Sequence, residues 1–181
     1  MTGHVTGHLH ISNGQLKKIK SQINGKSGKF VDQFESKFAN IVGEGSVVSF
    51  ASARMGFFAL MKSMRVGPGD EVILCGSTCS VMPNAVLRLG ATPIYSDINP
   101  STLGSSLNSI ASCISEKTKL IVAQHSFGIP CDIDVISKFC KEKKIFLIED
   151  CAIALGSTLN GRAVGTFGNA AIFSTDHSKP I

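Results

Sequence analysis

The most constraining stretch of this chain is Ile145-Phe146-Leu147-Ile148, a charge-free apolar run that leads straight into Glu149 and Asp150. Uninterrupted by charge, it reads as a strand buried in a parallel sheet. A carboxylate at the end of such a strand is costly unless it meets a cation or a hydrogen-bond donor.

The neighbouring sequence has the same character. Val47 to Phe50 reads as a short strand, Glu71 to Cys75 and Thr92 to Ser96 as the next two, Leu120 to Gln124 as a fourth and Ala170 to Phe173 as the last. Helical patterns separate them: Ser52 to Met64, then Ser80 to Leu89, which stops at Gly90. A third begins after Asp132, read as an N-cap, with Val135, Ile136, Phe139 and Cys140 on one face and Lys138, Lys141 and Lys143 on the other. Gly67-Pro68-Gly69-Asp70 is a turn signal. Strands alternating with helices predict an α/β architecture with a mainly parallel sheet.

Composition excludes other classes. Hydrophobic residues make up 43% and charged residues 17% of 181 residues, unlike a disordered chain. No apolar run is long enough to span a membrane and no secretory h-region opens the chain, so a cytoplasmic protein is expected. The length suits one domain.

The net charge of +5 is confined to one end. Residues 1–30 hold five lysines and no acid, and the remaining 13 basic and 13 acidic side chains cancel. Residues 1–29 therefore read as a solvated basic arm; having no aromatic residue before Phe30, it is not expected to bind nucleic acid. His4, His8 and His10 lack acidic or cysteine neighbours, and Cys75 and Cys79 are not followed by a second pair at zinc spacing, so no metal site is expected. The six cysteines read as reduced thiols, four of them in apolar or strand-like runs.

In parallel α/β sheets, ligands sit at the carboxyl ends of the strands. That singles out Ser52 to Arg54, Ser77 to Cys79, His125, Glu149-Asp150 and Ser174 to Lys179. Ser52-Ala53-Arg54 lies at a helix start suited to phosphate. A lysine such as Lys179 in a partly desolvated pocket can attack a carbonyl carbon. Anion site, buried aspartate and nucleophilic lysine together suit pyridoxal phosphate (PLP). Read singly, Asp150 also fits a helix cap, and Ser174 an ordinary loop serine.

With these parts in order, the chain resembles the DegT/StrS family of PLP-dependent aminotransferases from about Phe30 onward. The matching segments are Ser52-Ala53-Arg54, GPGDEVIL at 67–74, HSFGIPCDID at 125–134, IEDCA at 148–152, GRAVGTFGNAAIFS at 161–174 and Ser178-Lys179. The resemblance implies an aspartate-aminotransferase-like fold (fold type I) and transfer of an amino group, from glutamate, to a nucleotide-linked keto sugar in a homodimer. It implies that Lys179 carries the cofactor and shuttles protons, and that Asp150 pairs with the pyridine nitrogen. Ser52, Ala53, Arg54 and Ser174 would hold the phosphate. Cys79, His125 and Ile153 would stand at cofactor-contact positions, and His177 reads as a loop residue.

Three positions depart from the family pattern. Cys79 stands where many members stack an aromatic ring, Ile153 where many have Gln or His, and Ala53-Arg54 replaces Gly-Thr. Losing an aromatic stack costs about 1 kcal/mol beyond burial, which a cofactor site tolerates. A sugar dehydratase of the same family is the alternative, but that branch carries histidine at the position of Lys179. Because the chain ends at Ile181, where relatives run on through a small domain, a truncated, non-catalytic or regulatory fragment is the other alternative.

Overall fold

The computed structural model describes residues 12–22, 27–176 and 179. His4, His8, His10, His177 and Ser178 lie outside the described residues.

Five parallel strands form the sheet: β1 (Glu71–Cys75), β2 (Thr92–Ser96), β3 (Thr118–Gln124), β4 (Phe146–Asp150) and β7 (Ala170–Ile172). Their order across the sheet is β2-β1-β3-β4-β7. A small antiparallel hairpin, β5 (Thr158–Leu159) with β6 (Arg162–Ala163), stands apart from it. The helices are α1 (Asn13–Gln22), α2 (Ser27–Val42), α3 (Ala53–Ser63), α4 (Val81–Leu87), α5 (Leu107–Cys113) and α6 (Ile133–Lys143).

Strand alternation divides the core in two. Val72, Leu74, Leu120, Val122, Ile148 and Ile172 pack with Phe57 and Met61 of α3 and Met82 and Val86 of α4. The intervening Ile73, Ile121, Ala123 and Leu147 pack on the other face with Ile110 of α5 and Ile133, Ile136 and Cys140 of α6. Both faces of the central strands are therefore apolar, as the charge-free run at 145–148 predicts.

From β1 the chain crosses to β2 on one side, then returns past β1 to β3 on the other. The order reverses between β1 and β3, and in open α/β sheets ligands bind outside the carboxyl ends at such a reversal.

Some elements differ from expectation. Val47 to Phe50 joins no sheet: Glu35 of α2 accepts the Ser49 N–H at 2.6 Å and the Ser49 hydroxyl at 2.8 Å, so a side chain takes the place of a neighbouring strand. Asp132 precedes α6 but makes no capping bond, and its Oδ2 accepts instead from Asn99 Nδ2 at 3.0 Å. Residues 13–22 of the basic arm are helical, and α2 begins within the arm's last residues.

Candidate active site

Glu149 and Asp150 are adjacent on β4, so pleating sends them to opposite faces. Glu149 follows Leu147 onto the α5/α6 face, and Asp150 follows Ile148 onto the α3/α4 face.

On the α5/α6 face, Glu149 is fully buried and accepts four hydrogen bonds. Oε1 takes the N–H groups of Phe167 and Gly168, each at 2.7 Å. Oε2 takes the Gly165 N–H at 2.7 Å and faces His125 Nε2 at 3.1 Å. His125 is also fully buried, and its Nδ1 accepts the Cys131 N–H at 3.2 Å. Because Nδ1 accepts, the ring proton sits on Nε2, where it meets the carboxylate.

His125, expected among the cofactor contacts, thus stands behind the strand with both ring nitrogens engaged. His125, Glu149 and Cys151 offer ligand atoms within 4.8 Å of one another. A cation there would displace the Nε2 proton and compete with the N–H donors on Glu149, so the arrangement is a hydrogen-bond hub rather than a metal cage. Burial, with Glu149 beside it, also pushes the Cys151 thiol up, away from the thiolate that a metal requires.

On the α3/α4 face the second carboxylate is treated differently. Asp150 is 8% exposed, and among the described residues it accepts one hydrogen bond, from the Ala152 N–H to Oδ1 at 3.0 Å. Burial pushes its carboxyl up, while the Ala152 N–H, His125 and Lys179 act in that order to bring it down. Asp150 therefore caps a local turn, yet among the described residues Oδ2 accepts no hydrogen bond.

Lys179 is half-buried and near enough to act on the Asp150 carboxyl; its own N–H donates to the Asp176 carbonyl at 2.8 Å. Ser174 is half-buried, and its Oγ accepts the Asp176 N–H at 3.4 Å. Ser52 caps α3, with Oγ accepting the Met55 N–H at 3.3 Å. The first-turn N–H groups of Ala53 and Arg54 have no carbonyl within the helix to reach, and the Arg54 side chain is exposed. Since α3 leads into the amino end of β1, its N-terminus lies toward the carboxyl edge of the sheet, on the face of Asp150. Cys79 is exposed in the loop after β1, and Ile153 is half-buried in the turn after β4.

The structure thus gathers Asp150, Lys179 and the α3 start on one side and sets His125 on the other. Sequence reasoning did not separate Glu149 from Asp150 as the centre of a buried hydrogen-bond hub. Its signal was present: two acids close a buried strand, and glycine-rich Gly165 to Asn169 follows with backbone donors to spare.

Comparison with known proteins meets this geometry. The chain is 34% identical over 154 residues to the GDP-perosamine synthase of Vibrio cholerae, covering 85% of this chain and 42% of that protein. It is 36% identical over 148 residues to the dTDP-4-dehydro-2,3,6-trideoxy-D-glucose 4-aminotransferase of Saccharopolyspora spinosa, covering 81% and 38%. The chain therefore spans about two fifths of these relatives. Among solved structures, the aminotransferase from Psychrobacter cryohalolentis superimposes with a TM-score of 0.83 at 33% identity, over 90% of this chain and 41% of that one. The aminotransferase TlmJ from Streptoalloteichus hindustanus gives 0.79 at 36%, over 82% and 41%. The expected fold type I architecture is what these neighbours share with the chain. With the family profile of the DegT/DnrJ/EryC1/StrS aminotransferases matching residues 11–181, across the sheet and both carboxylates, the chain belongs to that family.

Proposed function

We propose that the protein is a PLP-dependent aminotransferase that moves an amino group, with glutamate as donor, onto a nucleotide-linked keto sugar. One observation carries the reading: among the described residues Asp150 is a buried carboxylate with a single hydrogen bond, within electrostatic reach of a half-buried lysine and on the side of a helix start. A buried charge left that open is costly unless a partner completes it. A protonated pyridine nitrogen is such a partner, and the first turn of α3 suits the phosphate on the same molecule. The residues present therefore fit the cofactor.

Bound there, PLP supplies an electron sink for the substrate carbon that exchanges its amino group. The protein's share is positional and protolytic. Asp150 would keep the ring nitrogen charged. Ala53 and Arg54 N–H groups and the Ser174 hydroxyl bind the phosphate. Lys179 Nζ would be the group that takes up and gives back the substrate proton, work that one amine on a flexible stem can do. The names of the relatives support a nucleotide-sugar acceptor. A second copy of the chain is the expected partner, since α2 presents Phe30, Val31, Phe34 and Ile41 to solvent and Val48 and Phe50 are also exposed. No helix among the described residues is long and apolar enough to cross a membrane.

The test is borohydride reduction of the protein after addition of PLP, followed by peptide mapping. The expected result is a visible absorption band lost on reduction, with the cofactor fixed on the peptide holding Lys179. No band, or label spread over the surface lysines, overturns the reading.

A further inference from the structure

Glu149 is an expensive residue at its position. A leucine would extend the apolar α5/α6 face, whereas a buried carboxylate requires donors at every lone pair to be tolerated. Here four donors converge on it from two separate segments.

Those segments are informative. Three of the donors belong to the turn at Gly165, Phe167 and Gly168, which passes through Asn169 into β7. Asn169 is itself laced to β4: its N–H donates to the Leu147 carbonyl at 2.8 Å, and its Oδ1 accepts the Leu147 N–H at 2.9 Å. Beyond β7 lie Ser174 and Lys179. The fourth donor, His125, closes the exit of β3, and the His125 N–H also donates to the Asp150 carbonyl at 3.1 Å.

Gly165 shows how closely this turn is fitted. Its φ is +92°, a conformation side chains rarely adopt, and an added Cβ would lie 2.5 Å from the Phe173 ring. The backbone of Asp150, the start of β7 and the exit of β3 are therefore all referenced to one carboxylate behind the strand.

We propose that Glu149 is a positioning residue for the cofactor site: by clamping the 165–168 turn and the β3 exit to the back of β4, it sets where Asp150 and Lys179 face. The inference rests on the reading that Asp150 faces the cofactor ring. It gives the hub a task beyond holding the fold, because an amide in place of the carboxylate leaves two N–H donors opposed by an NH2 group on one side.

The experiment compares Glu149→Gln, Asp150→Asn and the double variant. Amide hydrogen exchange at Gly165, Phe167 and Gly168 is followed in the cofactor-free protein, and PLP affinity with the pH midpoint of the visible band after loading. Glu149→Gln is expected to expose the three amides, weaken PLP binding about tenfold and move the midpoint in the same direction as Asp150→Asn. The double variant should move it little further than Asp150→Asn alone, as coupled residues do. Exposed amides with unchanged affinity and midpoint would overturn the proposal and reduce the hub to a fold latch. If Asp150→Asn alone changes neither quantity, the Asp150 reading fails first and takes this one with it.

Should Glu149→Gln not fold, His125 offers a second route. His125→Gln can still donate to Glu149 and accept from Cys131, whereas His125→Leu can do neither. Affinity kept in the first and lost in the second supports the proposal, and equal behaviour of the two overturns it.

Discussion

Glu149 and Asp150 are consecutive carboxylates on one strand, both buried, and the sheet treats them in opposite ways. Glu149 is closed by four donors. Among the described residues Asp150 has one, and a half-buried lysine lies within electrostatic reach of it. The same functional group is thus closed on one face and left with an unpaired oxygen on the other, the difference being how many of its lone pairs the described residues fill. The closed side carries more of the stability, the open side is the one proposed to meet the cofactor, and substitutions on each test how far the two are coupled.

The sharpest break is on the open side. Lys179→Ala removes the amine proposed to carry the cofactor and the proton, so transamination by the protein should fall by at least about a thousandfold. Folding should be nearly untouched, since Lys179 is half-buried and, among the described residues, its hydrogen bond is made by its backbone. Steady-state turnover and a thermal melt check both halves. Turnover at a tenth of the wild-type rate would remove Lys179 from the chemistry.

The closed side should respond the other way. Glu149→Ala strips three backbone N–H groups and His125 of their acceptor in a dry interior. Leaving buried donors unpaired makes about 3–5 kcal/mol of lost stability the expected outcome, read by urea unfolding of the cofactor-free protein. A loss below about 1 kcal/mol would mean that water enters and that the two carboxylates differ less than their geometry implies.

Much of this contrast was legible in the sequence, unevenly. Glu71 to Cys75 and Thr92 to Ser96 coincide with β1 and β2 residue for residue, because turn residues or glycine bound them on at least one side. Asp150 and Lys179 were found because a charge ending an apolar run, or a lysine after a short strand, is visible locally. What escaped depends on contacts distant in sequence. Leu107 to Cys113 forms α5 with one fully buried residue, Ile110, too short a pattern to register as periodic. Val47 to Phe50 has strand composition, but its donor meets Glu35 instead of a strand. The partners of Glu149 are amides 16 to 19 residues further on, and the side of the sheet that His125 takes follows from alternation along β3, which no local pattern of the sequence shows.

A third test uses pH. Burial holds the Asp150 carboxyl above its ordinary value in the folded chain, so the folded state binds that proton more tightly than the unfolded one. Its contribution is intact below the ordinary carboxylate range and is lost as pH rises through the interval up to the raised folded value. Asp150→Asn keeps an oxygen for the Ala152 N–H and removes the charge. The cofactor-free variant should therefore melt higher than wild type at neutral pH, by roughly 2–4 °C per kcal/mol gained, and the gain should vanish in acid. A variant that melts lower at neutral pH would show that Asp150 is already well partnered without a cofactor.

The smallest effect is a labelling rate, and it asks which side is open without altering a residue. Cys75, Cys131, Cys140 and Cys151 are buried, Cys113 is half-buried with Sγ donating to the Tyr95 carbonyl, and Cys79 is exposed in the loop after β1. Burial pushes Cys140 up to about 11 and Cys131 and Cys151 up as well, which withholds the thiolate that alkylation needs. Iodoacetamide should thus label Cys79 first and Cys113 more slowly, and reach the other four only on unfolding. Cys79 also borders the point where the strand order reverses, between β1 and β3, at the edge onto which Asp150 opens. PLP bound against Asp150 should shield it, so labelling of Cys79 should slow in proportion to occupancy while Cys113 keeps its rate. Equal slowing of both would point to a general tightening of the fold. An unchanged Cys79 rate at saturating PLP would place the cofactor away from the β1 loop and break the assignment of the open side.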